Sequence, residues 1–177
     1  MALLSCHLPT PLGDMLAVAS DQGLCLLEFD GQSGVERELA QVETARGGPA
    51  RDGRNAVLDQ LAVELAAYFA GQRQQFGVPL DLVGTPFQMA AWQALLTIPY
   101  GRTRSYAEQA RAIGKPTATR AVAAANGQNK VSIVVPCHRV IGSDGILTGF
   151  GGGLPRKRAL LNLEGGAVQG DWIADVG

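Results

Sequence analysis

SYAEQARAIGKPTATRAVAAAN, residues 105–126, decides the fold of the half of the chain in which it lies. Ser105 and Glu108 stand at the spacing where a hydroxyl and a carboxylate each cap the other's backbone N–H. A short helix therefore opens there and runs to Ile113, where Gly114-Lys115-Pro116 makes a tight turn. Residues 117–126 follow as a second helix, rich in alanine. Two short helices across a three-residue turn containing glycine form a helix-turn-helix.

Upstream, Thr85-Pro86-Phe87-Gln88 is another capping box, with proline at the first helical position. Phe87, Ala91, Ala94, Leu95 and Ile98 then recur on one helical face until Pro99-Tyr100-Gly101 ends it. Downstream, residues 131–135 are β-branched or small and read as a strand that Pro136 terminates. Residues 140–150 read as a strand pair around Ser143-Asp144-Gly145, followed by a glycine-rich loop and a last helix over 155–164. A helix-turn-helix followed by a hairpin is a winged-helix pattern.

The first half is organised differently. Residues 12–29 read as a hairpin turning at Asp21-Gln22-Gly23. Residues 31–53 are polar and mixed, ending in the Gly47-Gly48-Pro49 loop. Leu58, Leu61, Leu65 and Tyr68 mark a helix over 55–70, stopped by Gly71. Residues 79–84 read as a linker, so the expected domains are 1–84 and 85–177: an α/β (α+β) chain with an α/β first domain and a mostly helical, winged-helix second.

Hydrophobic residues are 46% of the chain, enough for a core without a metal or disulfide staple. The net charge of −1 hides an asymmetry: residues 1–84 carry five Lys/Arg against eleven Asp/Glu, and 85–177 carry ten against five. A basic second half suits a polyanionic partner. Asp14, Asp21, Glu28 and Asp30 read as a solvated face. Three cysteines, Cys6, Cys25 and Cys137, are too few and odd in number for a disulfide framework and suit a reducing compartment. Residues 1–10 have neither the basic start nor the apolar run of a secretory leader, and no stretch reaches membrane-spanning length. The expectation is a soluble, cytoplasmic protein with no membrane partner.

The chemistry concentrates at Pro136-Cys137-His138-Arg139. A cysteine directly after a strand-ending proline leaves the sheet, and cationic or hydrogen-bonding neighbours raise the thiolate fraction, the nucleophilic form. Alone, a Cys-His pair also fits a structural thiol, and adjacent extended side chains would need a water between them.

Taken in order, Thr85-Pro86-Phe87-Gln88, Ile98-Pro99-Tyr100-Gly101, Ser105-Tyr106, Arg120-Ala121-Val122, Ala125-Asn126-Gly127, Pro136-Cys137-His138-Arg139-Val140-Ile141-Gly142, Gly151-Gly152 and Leu160-Leu161 resemble the O6-alkylguanine-DNA alkyltransferase family. The resemblance is dense over residues 85–165. It extends more loosely to the start through Thr10-Pro11-Leu12-Gly13 and Tyr68-Phe69-Ala70-Gly71. It implies a ribonuclease-H-like arrangement for the first domain. It also implies direct-reversal repair: the alkyl group of O6-alkylguanine, and of O4-alkylthymine, passes to the protein's own Cys137, once and irreversibly, with no cofactor.

Residue by residue, the resemblance makes Cys137 the alkyl acceptor, His138 the base acting through water, Glu164 the carboxylate that orients it, and Asn129 a brace for the active-site turn. Tyr106 would crowd a backbone phosphate and hydrogen-bond the flipped guanine, and Arg120 would fill the stack that the base leaves. Ala121, Ala123 and Ala124 would let their helix approach the minor groove of double-stranded DNA closely, though helix propensity alone also explains them. Val140, Phe150, Gly151 and Lys157 would form the guanine pocket, and Arg139 would bridge the domains or meet DNA. The protein is expected to be a monomer, with cooperative binding to DNA left open. Phe150 stands where tyrosine is common, Lys130 where proline is usual, and Ala123 where glycine is frequent. Some relatives hold zinc in the first domain, but Cys6, His7 and Cys25 do not reproduce the ligand set, so no metal is expected. The competing readings are a non-catalytic binder of alkylated bases, a winged-helix regulator and a cysteine hydrolase. Cys137 with His138 and Glu164 argues against the first two; the third needs water to release an acyl group and predicts no affinity for DNA.

Overall fold

The computed structural model describes residues 2–145 and 147–165. It divides into two compact units, Met1–Val83 and Gly84–Gly177.

In the first unit, strand β3 (Leu24–Phe29) is buried along its whole length. A strand covered on both faces shows no polar alternation, which is why LCLLEF is apolar at every position but Glu28. Strand β2 (Met15–Ala19) pairs with it antiparallel across the expected turn, where the Ser20 N–H donates to the Gly23 carbonyl at 3.0 Å. Strand β1 (Leu4–Leu8) adds antiparallel to β2, and the two-residue β4 (Arg51–Asp52) adds parallel to β1, giving the order β3-β2-β1-β4. Helix α1 (Val35–Arg46) packs on β3, and helix α2 (Ala56–Phe69) on β2. The Asn55 side chain caps α2 by accepting from the Leu58 N–H, and Leu58, Leu61, Leu65 and Tyr68 turn inward as their spacing expects.

β1 and α1 are additions to the sequence reading. Glu28 corrects it: Asp14, Asp21 and Asp30 are exposed, whereas Glu28 is buried within β3 and accepts from Gln32 Nε2 at 3.0 Å. Two carboxylates staple the unit's loops. Glu64 accepts from the backbone N–H groups of Gly77 and Val78, from Gln60 and from Arg73. Asp81 takes Arg46 through two nitrogens at 2.9 and 2.6 Å, together with the Ser20 hydroxyl at 2.6 Å.

The second unit is built on helices. Helix α3 (Pro86–Leu95) begins at the Thr85/Gln88 capping box and helix α4 (Tyr106–Ala112) at the Ser105/Glu108 box, both with reciprocal bonds formed. Gly84 is required because a Cβ there would lie 2.4 Å from the Trp92 ring. Trp92 Nε1 donates to the Ala125 carbonyl at 2.8 Å, which ties α3 to helix α5 (Thr119–Gly127). A reciprocal amide pair joins α4 to α5: Gln109 Nε2 donates to Asn126 Oδ1, and Asn126 Nδ2 to Gln109 Oε1.

After α5 the structure departs from the strand expected over 131–135 and the hairpin expected over 140–150. Residues 131–135 form no strand but a buried double turn, with the Val134 N–H on the Ser132 carbonyl and the Val135 N–H on that of Val131. Ile133 sits at φ 71°, a conformation a β-branched residue adopts only when its surroundings impose it. No hairpin forms over 140–150 among the described residues. Instead β6 (Val140–Ile141) pairs parallel with β5 (Arg104–Ser105). Helix α6 (Leu154–Leu163) closes the unit, with Leu161 and Leu154 packed on Ile141 and Leu147.

Candidate active site

Cys137–Arg139 is a single 3-10 turn between Pro136 and β6. Asn129 fixes the approach to it. Its Oδ1 accepts from the Val131 N–H at 3.0 Å, and its Nδ2 donates to the Val135 carbonyl at 2.9 Å. The Val135 carbonyl also receives the Cys137 N–H, so one buried amide holds the whole segment that delivers the cysteine.

The Cys137 side chain is partly exposed and borders a cavity of about 400 Å³. Tyr106 from α4, Ala123, Asn126 and Gly127 from α5, and the 148–151 loop line the rest. That volume falls in the small-molecule range, roughly 300–1,000 Å³. Phe150 and Gly151 are on this wall; Val140 and Lys157 are not among its lining residues.

The two residues after Cys137 belong to a buried charged cluster. His138 is fully buried, with Nε2 at 2.8 Å from Glu164 Oε2. Arg139 grips the same carboxylate with two nitrogens, Nε on Oε1 at 2.8 Å and Nη2 on Oε2 at 3.1 Å. Burial alone would raise the Glu164 pKa, but the imidazole and the guanidinium outweigh it and hold the carboxyl at about 2. Burial pushes the His138 pKa below its usual value, against the pull of Glu164, so the ring is neutral near pH 7. An ionised carboxylate can only accept, so Nε2 carries the proton and Nδ1 keeps the lone pair. Nδ1 has no hydrogen-bond partner among the described residues. The arrangement is a neutral imidazole with one nitrogen anchored and the other free to accept.

Lys157 is fully buried and donates to three carbonyls: Val140 at 2.6 Å, Thr148 at 2.6 Å and Gly149 at 3.3 Å. It fastens the cavity loop to the segment that follows Cys137. Burial lowers its pKa to about 8, while its attraction to the Cys137 thiolate opposes that shift. By reciprocity the ammonium favours the thiolate. The Tyr106 hydroxyl donates to the Thr148 carbonyl at 3.2 Å, and burial raises its pKa, so it remains a proton donor.

On α5, Arg120, Ala121, Ala123 and Ala124 are exposed, while Val122, Ala125 and Asn126 face inward. Arg139, left undecided by the sequence between bridging the domains and meeting DNA, is buried in the second unit on Glu164 and the Ile98 carbonyl. Lys130, which stands where proline is usual, is buried with its ammonium 5.3 Å from the centre of the Trp92 ring. In the first unit, His7 Nδ1 lies 3.0 Å from an Asp30 oxygen and Cys25 is buried in β3. Among the described residues no three His, Cys, Asp or Glu gather as a metal site, and no helix is long and apolar enough to cross a membrane.

Comparison with known proteins adds the following. Residues 86–166 match the family model described as 6-O-methylguanine DNA methyltransferase, DNA binding domain, and residues 6–82 match its ribonuclease-like domain. A methylated-DNA–protein-cysteine methyltransferase of Mycobacterium bovis is 61% identical over 108 residues, covering 61% of this chain and 66%, just under two thirds, of that relative. The one from Mycolicibacterium paratuberculosis is 52% identical over 147 residues, covering 81% of this chain and 88% of its own length. A crystal structure described as Mycobacterium tuberculosis OGT in complex with DNA superposes with a TM-score of 0.78 at 43% identity, covering 93% of this chain and 92% of that one.

Proposed function

This chain belongs to the 6-O-methylguanine DNA methyltransferase family, and we propose that it repairs alkylated DNA by taking the alkyl group onto its own Cys137. One observation carries the reading: Cys137 borders a base-sized cavity, and the next residue, His138, is a neutral imidazole anchored by a buried carboxylate.

The atoms balance without a further reactant. The Cys137 thiol proton passes through water to His138 Nδ1, and the imidazolium that forms is stabilised by Glu164. The sulfur forms a bond to the alkyl carbon while the bond from that carbon to guanine O6 breaks. Guanine leaves as an anion and takes a proton from the Tyr106 hydroxyl, and the proton held on His138 passes back through water to restore the phenol and the neutral imidazole. The product is a thioether, a poor leaving group, so each molecule acts once.

A base stacked in a duplex cannot reach the cavity, so the nucleotide is flipped out. The exposed small residues Ala121, Ala123 and Ala124 suit close approach to the minor groove of double-stranded DNA, and exposed Arg120 suits filling the vacated stack. The Phe150 ring offers a stacking surface for the flipped base, with the backbone of Gly151 reading its edge. O4-alkylthymine presents the same alkyl–oxygen bond and is included as a substrate. The protein works as a monomer in the cytoplasm.

The test is a titration of a radiolabelled O6-methylguanine duplex with wild-type protein and Cys137→Ala. Wild type should transfer up to one methyl per molecule and then stop. Cys137→Ala should bind the same duplex and accept none. Sustained turnover, or transfer by the variant, would refute the assignment, and tight binding with no transfer by wild type would mark a recognition protein instead.

A further inference from the structure

Ile98-Pro99-Tyr100-Gly101 stood out in the sequence but has no role in the chemistry above. In the structure it surrounds the acidic end of the cluster. The Ile98 carbonyl accepts Arg139 Nη1 at 2.7 Å. The guanidinium carbon of Arg139 lies 5.8 Å from the centre of the Tyr100 ring. The Tyr100 hydroxyl donates to the Leu163 carbonyl at 3.2 Å, beside Glu164. Gly101 closes the ring of contacts, since a Cβ there would come within 3.1 Å of the Glu164 carbonyl oxygen.

We propose that Arg139, seated by Ile98 and Tyr100, is a positioning residue for alkyl transfer: it locks the Glu164 carboxylate ionised and oriented, and so selects the His138 tautomer whose free nitrogen faces the proton it must take. The geometry excludes the simpler role of a surface cation, because Arg139 is 7% exposed and its bonds go to Glu164 and the Ile98 carbonyl. Two parallel N–H···O bonds to one carboxylate fix its plane, which a point charge would not. The plane matters because Oε2 is shared between Arg139 Nη2 and His138 Nε2. The charged groups bearing on the imidazole are Glu164, Arg139 and Lys157. Of the two cations, Arg139 is the one bonded to the carboxylate, whereas Lys157 is spent on three carbonyls.

The inference rests on the alkyl-transfer reading, and the experiment separates the two. The chain has only two histidines, so the imidazole nitrogens of His138 can be assigned by ¹⁵N NMR after His7→Gln removes the other. At pH 7 the wild type should show Nε2 protonated and Nδ1 bare; a protonated Nδ1 overturns the proposal, whether or not the protein transfers alkyl groups. Arg139→Gln should mix the tautomers and slow transfer about 10- to 100-fold, the scale of loss when a metal-bound histidine is deprived of the partner that orients it. Affinity for alkylated duplex, measured in a Cys137→Ala background, should not change. Arg139→Lys keeps the charge but not the two-point grip. It should recover part of the rate, with the acid limb of the pH–rate profile moved to higher pH because Glu164 is less well held. If Arg139→Gln does not fold, the Arg139→Lys profile decides, and one that keeps its wild-type shape contradicts the proposal. A rate loss that merely tracks the folded fraction, with the tautomer unchanged, contradicts it equally.

Discussion

Glu64 in the first unit and Glu164 in the second are both buried to within 4% of full exclusion, and both are paired with an arginine. Their remaining partners differ. Glu64 spends its oxygens on the backbone N–H groups of Gly77 and Val78 and on Gln60, so its charge pins a loop. Glu164 spends them on an imidazole whose far nitrogen has no partner among the described residues. Burying a carboxylate costs the same kind of free energy in either place. What is obtained in return is local order in one unit and an oriented proton acceptor in the other. A buried charge is therefore no sign of a functional site until its partners are followed to the end of the chain of bonds.

Removing each carboxylate tests that contrast. Glu164→Gln should lower the alkyl-transfer rate about 100-fold or more in single-turnover assays, because the histidine loses the negative charge that stabilises its imidazolium. Glu64→Ala should leave the rate of the folded protein unchanged while lowering stability by about 3 kcal/mol in urea unfolding, since Arg73 and two backbone N–H groups lose their partner. A large rate loss at Glu64 would erase the distinction.

Acid sharpens it. The Glu164 carboxyl falls from 4.5 to about 2 on folding. The unfolded chain thus binds its proton first, so the group contributes stability above pH 4.5 and loses it as pH falls toward 2. The contribution is about 3 kcal/mol. Stability measured between those two pH values should drop in wild type and drop less in Glu164→Gln. An identical decline in both would mean the carboxylate is not held as described.

Smaller in effect is Arg120→Ala. Transfer from duplex should slow about tenfold, a cost of about 1.4 kcal/mol for an unfilled stack, while transfer from free O6-alkylguanine base is untouched. Equal losses on both substrates would place Arg120 in the chemistry and not in base extrusion.

Local signals carried much of the second unit. The capping boxes at Thr85 and Ser105 were readable because each is complete within four residues, and both form as expected. The hairpin of β2 and β3 was readable from its turn. Helix α1 was passed over because only Val35, Leu39 and Val42 mark its apolar side among charged neighbours. Residues 131–135 imitated a strand in composition, but their backbone is turned by the Asn129 amide, and residue type does not record which carbonyls an amide will reach. Arg139 was opaque for the same reason at longer range: its partners lie 25 residues ahead at Glu164 and 41 behind at Ile98. The burial of Lys130 is not legible in the sequence, because lysines usually face water and only the packing of α3 sets Trp92 beneath it.

The central claim is that one sulfur receives the alkyl group. After reaction with an O6-methylguanine duplex, peptide mapping by mass spectrometry should find a single methyl, on the peptide containing Cys137, with Cys6 and Cys25 unmodified. A methyl on either of those two, or unmodified Cys137 beside repaired DNA, would contradict it.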